Sequence, residues 1–337
     1  MSARSSVLSS WGEILRTQNL KDQSRLDFVS RWLLITRASV FTMTITSGLI
    51  GGLLAAHSPD ANWWFFFLSV VGLVIAHAAN NMINDYFDLS GGVDTEGYTR
   101  TLYAPHPILS GLVSKNGLIA AIALFNLIDL LILAYLTAAR GPLVVFFALA
   151  GLFISVFYVA PPVRLKHHGL GEPGVAIVWG PLMIGGTYFV TTGEIPMWVL
   201  VASVPYALLV TTVLFGKHVD KLDSDGAKGI RTLPVLMGRE SALRATRQMM
   251  VAFFVVVPLL VLTGALGLWC LLTLLALPRL RETLETFREP PPRNPPPRYP
   301  IWPLWYVAWA FRLNRLAGGL FVLGLLLDAV IPLHIGT

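Results

Sequence analysis

The sequence has 337 residues, 55% hydrophobic and 13% charged, against roughly 25% charged in an ordinary soluble domain. That composition excludes a soluble globular protein and points to an all-α polytopic membrane protein. A net charge of +6 would suit nucleic acid, but the basic residues gather in loops on one side of the apolar runs, so no nucleic acid is expected. The single cysteine, Cys270, lies in an apolar run, which leaves neither a disulfide framework nor a thiolate metal site.

Residues 1–32 carry Arg4, Glu13, Arg16, Lys21, Asp22, Arg25 and Asp27 without the apolar core of a signal peptide. They read as an amphipathic segment on the membrane surface. Taking about 20 apolar residues per span, nine spans are expected near 33–56, 62–84, 116–138, 142–160, 173–192, 197–216, 243–264, 265–281 and 312–333, the eighth being short and holding Pro278. Placing the N-terminus in the cytoplasm puts nearly all loop lysines and arginines inside, including Arg279 to Arg298, and leaves Arg140 outside. The expectation is a multi-pass protein of the cell (inner) membrane.

In the first span, Arg37 is either an interface residue that snorkels or a phosphate contact. The second span ends in the most polar stretch of the chain, where Asn81, Asn84, Asp85 and Asp88 share much of one helix face and Asp94 follows Gly91-Gly92. The loop beyond it runs through Arg100 and is long enough to act as a lid. Asp129 interrupts the third span and reads as a helix–helix contact. The fourth ends at Tyr158 before Pro161-Pro162, and Arg164 and Lys166 follow, either as topology determinants or as anion contacts. After the sixth span comes a second charged stretch, with Lys217, His218, Asp220, Lys221, Asp223 and Asp225, then Lys228 and Arg231 in a glycine-bearing turn. Residues 289–300 form a proline-rich cytoplasmic linker, of which no chemistry is expected.

Two carboxylate clusters facing one another in a low-dielectric site repel unless a cation lies between them. Oxygen ligands without Cys or paired His suit Mg²⁺, which takes its remaining ligands from water and phosphate. The residues therefore describe a membrane enzyme that handles a diphosphate.

Asn84-Asp-Tyr-Phe-Asp88, the acids after the sixth span and Gly229-Ile-Arg-Thr-Leu-Pro234 resemble the UbiA superfamily of intramembrane prenyltransferases, over about residues 31 to 333. Within it, Gly92-Val-Asp94-Thr95, Lys166-His-His-Gly-Leu-Gly-Glu172 and Gly180 to Gly193 look like the dihydroxynaphthoate branch of menaquinone synthesis. The resemblance implies one UbiA-type bundle over 33–333 with a central cavity on the cytoplasmic side. It implies Mg²⁺ as cofactor and transfer of a prenyl group from a polyprenyl diphosphate to an aromatic or other lipid-soluble acceptor within the bilayer. Asn84, Asp88 and Asp94 would belong to the first magnesium motif and Asp223 and Asp225 to the second, with Asp85 and Asp220 as further candidate metal ligands. Arg37, Asn81, Arg100, Tyr158, Arg164, Lys166, Lys217, Lys221, Lys228 and Arg231 would bind diphosphate, with Asp88, Asp220, Asp223 and His218 catalytic.

The chain departs from that pattern at the second motif, where the branch usually has two asparagines in place of Lys217-His218 and an aspartate in place of Lys221. Asp220 is expected to take the vacated ligand position, and His218 to serve as a base. Ala38 stands where an Arg-Pro pair is common, and His106 where many relatives have Arg. Two other readings stay open: a UbiA-type enzyme with a non-aromatic acceptor or none, as in a terpene cyclase, and an ion- or proton-coupled transporter, whose acids would lie at the midplane, where only Asp129 stands.

Overall fold

The computed structural model describes residues 7–335 except 23, 25, 298 and 300, so Arg4, Arg25 and Arg298 lie outside the described residues. Those described form an all-helical bundle, and none of them lies in a β-strand. Helix α1 (Val7–Thr17) leaves Val7 and Leu8 exposed and buries Ile14 against Leu20 and Leu34. Asp27 then caps α2 (Phe28–Ile35) by accepting the Val29 and Ser30 N–H groups at 2.8 and 2.9 Å, which satisfies donors that no helical partner reaches. Helix α2 and the segment continuing through α3 (Phe41–Leu54) meet at 65°. Arg37 stands at that break with φ +56°, a left-handed conformation that interrupts the helix and turns its side chain inward.

The 28-residue α4 (Trp63–Ser90) is capped by Asn62 and stops at Gly91-Gly92, where φ is +73° at Gly92. There follow the short α5 (Thr99–Tyr103), then α6 (Lys115–Arg140), α7 (Leu143–Phe157), and α8 (Gly171–Ile177) joined to α9 (Gly186–Thr192) through wider π-type turns over Val178–Gly185. Next come α10 (Met197–Asp220), α11 (Leu222–Ala227), α12 (Leu233–Met237), α13 (Arg239–Leu262), α14 (Leu277–Thr286) and α15 (Tyr306–Val330).

Among the described residues six helices are long and apolar enough to cross a membrane, seven when the bent α2–α3 pair counts as one span. Nine is therefore not reached by length. The 15-residue α7 extends about 22 Å at 1.5 Å per residue, short of a ~30 Å hydrocarbon core. The expected span 265–281 is a nine-residue 3₁₀ helix, Leu268–Ala276, that runs into α14, whose charges lie on its exposed surface.

Helix α10 is the axis: 72% of its apolar span is buried in protein, against 11% for α6, which faces lipid. Around α10 pack α13, α15 and the α8–α9 span, with Tyr206, Phe253, Phe321 and Leu209 fully enclosed. Helix α15 comes close because Gly216 has no side chain, since a Cβ there would stand 2.9 Å from the backbone nitrogen of Val307. Asp129 lies where α6 meets α4, its carboxylate 3.6 Å from where a Gly72 Cβ would stand.

Candidate active site

A cavity of about 760 Å³ opens between α1, α3, α4, α7, α8, α10 and α15. One end is polar, with Arg37, Asn81, Asn84, Tyr158 and Lys217; the opposite wall is apolar, with Met43, Val178, Trp179 and Val213. Glu13 and Arg16 of α1 border it as well, so the N-terminal helix roofs the chamber besides covering a surface. The proline-rich segment is not without a role either: Tyr299 reaches the wall and donates its hydroxyl to the Leu304 carbonyl at 2.8 Å.

The first motif converges as its spacing suggests. Asp85 is fully buried and ion-pairs with the Arg37 guanidinium, with the Arg100 Nε 3.5 Å away. Asp88 holds the Lys166 ammonium at 2.8 and 2.9 Å. Asn81 donates to the Thr36 carbonyl at 2.9 Å, which leaves its oxygen toward the cavity, and the Asn84 oxygen is buried without a hydrogen-bond partner. Asp94 lies beyond the glycine turn, 3.5 Å from His106 Nε2, and burial followed by repulsion from Asp88 pushes its carboxyl above the ordinary range.

His106 is a residue that sequence reasoning noted only as a departure. Its Nδ1 accepts the N–H groups of Ile108 and Leu109 at 3.2 and 3.3 Å. The neutral ring must then carry its proton on Nε2, aimed at Asp94 and, at 3.9 Å, Asp85. Burial favours that neutral form by lowering its pKa. Asp85, Asp94 and His106 thus form a tight set of possible metal ligands, but the His106 nitrogen that faces the acids is a donor.

The second motif divides. Asp225 is fully buried, accepts from the Tyr98 hydroxyl, and pairs with Lys221 at 3.0 Å. Burial opposes its ionisation, yet Lys221 and His218 hold its pKa below the ordinary value. Its second oxygen has no partner. Lys221 and Lys228 both stand over the Tyr98 ring, at 4.7 and 4.4 Å from its centre, and Lys228 also donates to the Val93 carbonyl. The acid cluster and the lysines of α10–α11 are therefore bridged by Tyr98, which no pattern in the sequence marked.

Asp220 does not take the vacated ligand position. Its two oxygens accept the N–H groups of Tyr306 and Val307 at 2.9 and 3.0 Å, so it caps α15 from a neighbouring helix. Asp223 turns outward as well: its side chain is 85% exposed and pairs with Arg239 at 2.8 Å. The reason is helical rotation, since residues 220, 223 and 225 straddle the end of α10 and the start of α11 and point in different directions. Arg164 and Arg231 are also exposed, whereas Lys166 between them is buried.

His218 is oriented by a residue not singled out as functional. Its Nδ1 lies 2.6 Å from Glu172 Oε1, and its Nε2 faces the Tyr158 hydroxyl at 3.4 Å. Glu172 is wholly buried at the start of α8, and that was its signal: an acid beside an apolar run is seldom idle.

Fold and site together define a polytopic helical membrane protein with a buried mixed-charge pole at one end of an apolar chamber. The profile of the UbiA prenyltransferase family matches residues 44–305. The chain belongs to that family and is a prenyltransferase. It is 24% identical over 253 residues to a 1,4-dihydroxy-2-naphthoate octaprenyltransferase of Bacillus subtilis, covering 75% of this chain and 80% of that one. It is 26% identical over 264 residues to a UbiA prenyltransferase domain-containing protein 1 homolog of Drosophila melanogaster, covering 77% and 71%. In fold it is similar to a UbiA homolog from Aeropyrum pernix, with a TM-score of 0.64 and 19% identity over 85% of this chain and 97% of that one. A UbiA homolog from Archaeoglobus fulgidus bound to GPP and Mg²⁺ gives 0.62 and 14% identity, covering 89% and 100%.

Proposed function

We propose that this protein transfers the prenyl group of a polyprenyl diphosphate to an aromatic acceptor of the quinone-precursor type, with dihydroxynaphthoate the first candidate, using Mg²⁺. The observation that carries the reading is the meeting of unpartnered buried oxygens on Asn84, Asp94 and Asp225 with Arg37, Lys166 and Lys221 beside an apolar chamber. An all-oxygen donor set with spare acceptor capacity fits a hard divalent cation. Asn84, Asp88, Asp94 and Asp225 would hold it, and the ion would supply charge neutralisation to the diphosphate leaving group.

The remaining work falls to the chain. Arg37, Lys166, Lys217 and Lys221 attract and orient the diphosphate, and their positive charge stabilises it as it departs. Burial within the bilayer keeps water from the allylic cation, and the faces of Tyr158 and Tyr103 border its path. The acceptor must lose a proton. Glu172 holds the Nδ1–H of His218, leaving Nε2 free to accept a proton through the Tyr158 hydroxyl.

Asp129 supports this reading over a transporter, because it stands apart from the cluster and has no acid or histidine grouped with it among the described residues. The Bacillus subtilis relative favours the naphthoate acceptor. Incubating purified protein with magnesium, a labelled prenyl diphosphate and a panel of acceptors, with product mass as readout, tests the reading. We expect a prenylated naphthoate with metal and none in excess chelator. A prenylated glycerol lipid, or a cyclised hydrocarbon, would replace the acceptor assignment.

On the same reading the charged pole and N-terminus lie on the cytoplasmic side of the cell (inner) membrane, within one domain over 33–333 preceded by a surface segment. Because the native Cys270 is buried, Lys228→Cys reports cleanly on sidedness. Labelling of that cysteine from outside sealed vesicles would invert the topology.

A further inference from the structure

A second concavity, of about 550 Å³, lies on the outer surface of the bundle between α13 and α14. It shares no lining residue with the reaction chamber. Arg244, Arg247, Val251 and Val255 of α13 line it at steps of three or four residues, one stripe that is cationic at one end and apolar at the other. At 1.5 Å per residue that stripe runs about 16 Å along the helix. Arg288, just beyond α14, completes a trio of guanidiniums, and Leu284 adds to the apolar floor.

The trio is uncommitted. Both acids of α14 are taken by other arginines, Glu282 by Arg279 at 2.6 Å and Glu285 by Arg281 at 3.0 Å. Arg247 makes one long bond, 3.5 Å to the Phe287 carbonyl. Among the described residues no carboxylate lies within ion-pair distance of Arg244, Arg247 or Arg288. The cationic end lies on the same side of the bundle as the active site, since α13 starts at Arg239, which reaches Asp223, and Tyr306 donates to the Glu289 carbonyl.

Topology alone explains arginines at a membrane boundary, but it explains neither their convergence on one concavity nor the apolar floor that continues from them into the span. We propose that this groove binds an anionic phospholipid, its phosphate on Arg244, Arg247 and Arg288 and one acyl chain along Val251, Val255 and Leu284. Charge complementarity selects the headgroup. A phosphodiester carries a single negative charge and needs no metal, which suits a groove without an acid, whereas a prenyl diphosphate suits the site beside the chamber where Asp88, Asp94 and Asp225 meet Lys166, His106 and Lys221. The proposal does not depend on which acceptor the enzyme uses.

Full-length protein in neutral detergent, titrated with phosphatidylglycerol or phosphatidylcholine and read by retained lipid in native mass spectrometry, tests it. Wild type should hold one phosphatidylglycerol in preference to phosphatidylcholine. At about fivefold per arginine near a membrane surface, R244Q/R247Q/R288Q should bind phosphatidylglycerol roughly a hundredfold more weakly. R279Q/R281Q, which removes two paired arginines of the same region, should bind within about twofold of wild type. Val251→Trp, which fills the floor and leaves the charge unchanged, should weaken binding too. If the triple variant does not fold, R288Q alone decides, with a fivefold loss expected. The proposal fails if the variants in the groove bind as tightly as wild type or if the paired-arginine control loses as much. It fails equally if phosphatidylcholine binds as well, or if geranylgeranyl diphosphate or inorganic phosphate displaces phosphatidylglycerol at equal concentration.

Discussion

The two acidic stretches look alike on paper and do different things in space. At the end of α4 every carboxylate turns inward, and the balancing cations come from three other places, Arg37, Arg100 and Lys166. At the end of α10 only Asp225 turns inward and it brings its own cation, Lys221, while Asp220 builds the fold and Asp223 faces solvent. A cluster neutralised from outside itself depends on the whole bundle for its geometry. One neutralised four residues away is settled by its own turn of helix.

The largest effect should come from the first stretch. Removing a preorganised group at a developing charge costs about 10²–10³ in rate, so Asp88→Ala and Asp94→Ala should each lower prenyl transfer by at least a hundredfold in a product-mass assay. The same contrast within the second stretch is sharper. Asp225→Asn should cost tenfold or more and Asp223→Asn less than twofold, and equal losses would erase the distinction between inward and outward acids.

Asp220→Ala should act on stability instead. Leaving the Tyr306 and Val307 N–H groups buried without an acceptor costs about 1–3 kcal/mol, visible as a lowered thermal midpoint with the kcat of the folded fraction retained. A proportionate fall in kcat and magnesium affinity would return Asp220 to the metal shell.

Both stretches should also speak through pH. Burial and then Asp88 raise the Asp94 carboxyl, so on acidification it loses its charge before an ordinary carboxylate does. The acid limb of kcat/KM should then begin above the usual carboxylate range near pH 4, and Asp94→Asn should remove that limb along with most activity. Burial lowers Lys221 below an ordinary lysine, with Asp225 opposing it. Its charge is lost earlier as pH rises, so the KM for diphosphate should climb at a lower pH than an ordinary lysine would give, and Lys221→Arg should move that rise upward.

The smallest effect belongs to α1–α2. Asp27→Ala removes a helix cap worth about 1 kcal/mol. Hydrogen bonds from Ser30 hold the Asp27 pKa below its ordinary value, so its contribution is present above the unfolded-state pKa and is lost as pH falls through the folded one. Melting curves for wild type and variant should therefore differ at about pH 7 and draw together as pH falls below the ordinary carboxylate value.

The sequence makes legible whatever depends on local period. Asn84, Asp85 and Asp88 share a face by spacing alone, and Gly91-Gly92 announces the turn that returns Asp94 to them. What stayed hidden depends on rotation or on distant partners. Nothing in Asp220-Lys-Leu-Asp-Ser-Asp225 says which acid faces in, because α10 ends and α11 begins within it. Tyr98 and Glu172 matter through residues 127 and 46 positions away, and a single sequence does not display such pairs. The expected span 265–281 is not a long α-helix for a related reason, since an apolar run specifies burial without specifying α-helical pitch.

One tie carries a consequence for how the molecule is made. Arg315 of α15 donates to the carbonyls of Leu15 and Ser39, the first of them 300 residues earlier, and the cap of α15 is Asp220 on α10. Helix α15, made after all the other described helices, thus fastens both the roof over the chamber and the helix that carries the second motif. Until α15 has inserted, Asp220 has no donors, α1 is untethered on that side and the chamber lacks a wall. A nascent chain arrested before Tyr306 therefore cannot shelter a reactive cation from water, and chemistry begins only when synthesis of the bundle is complete.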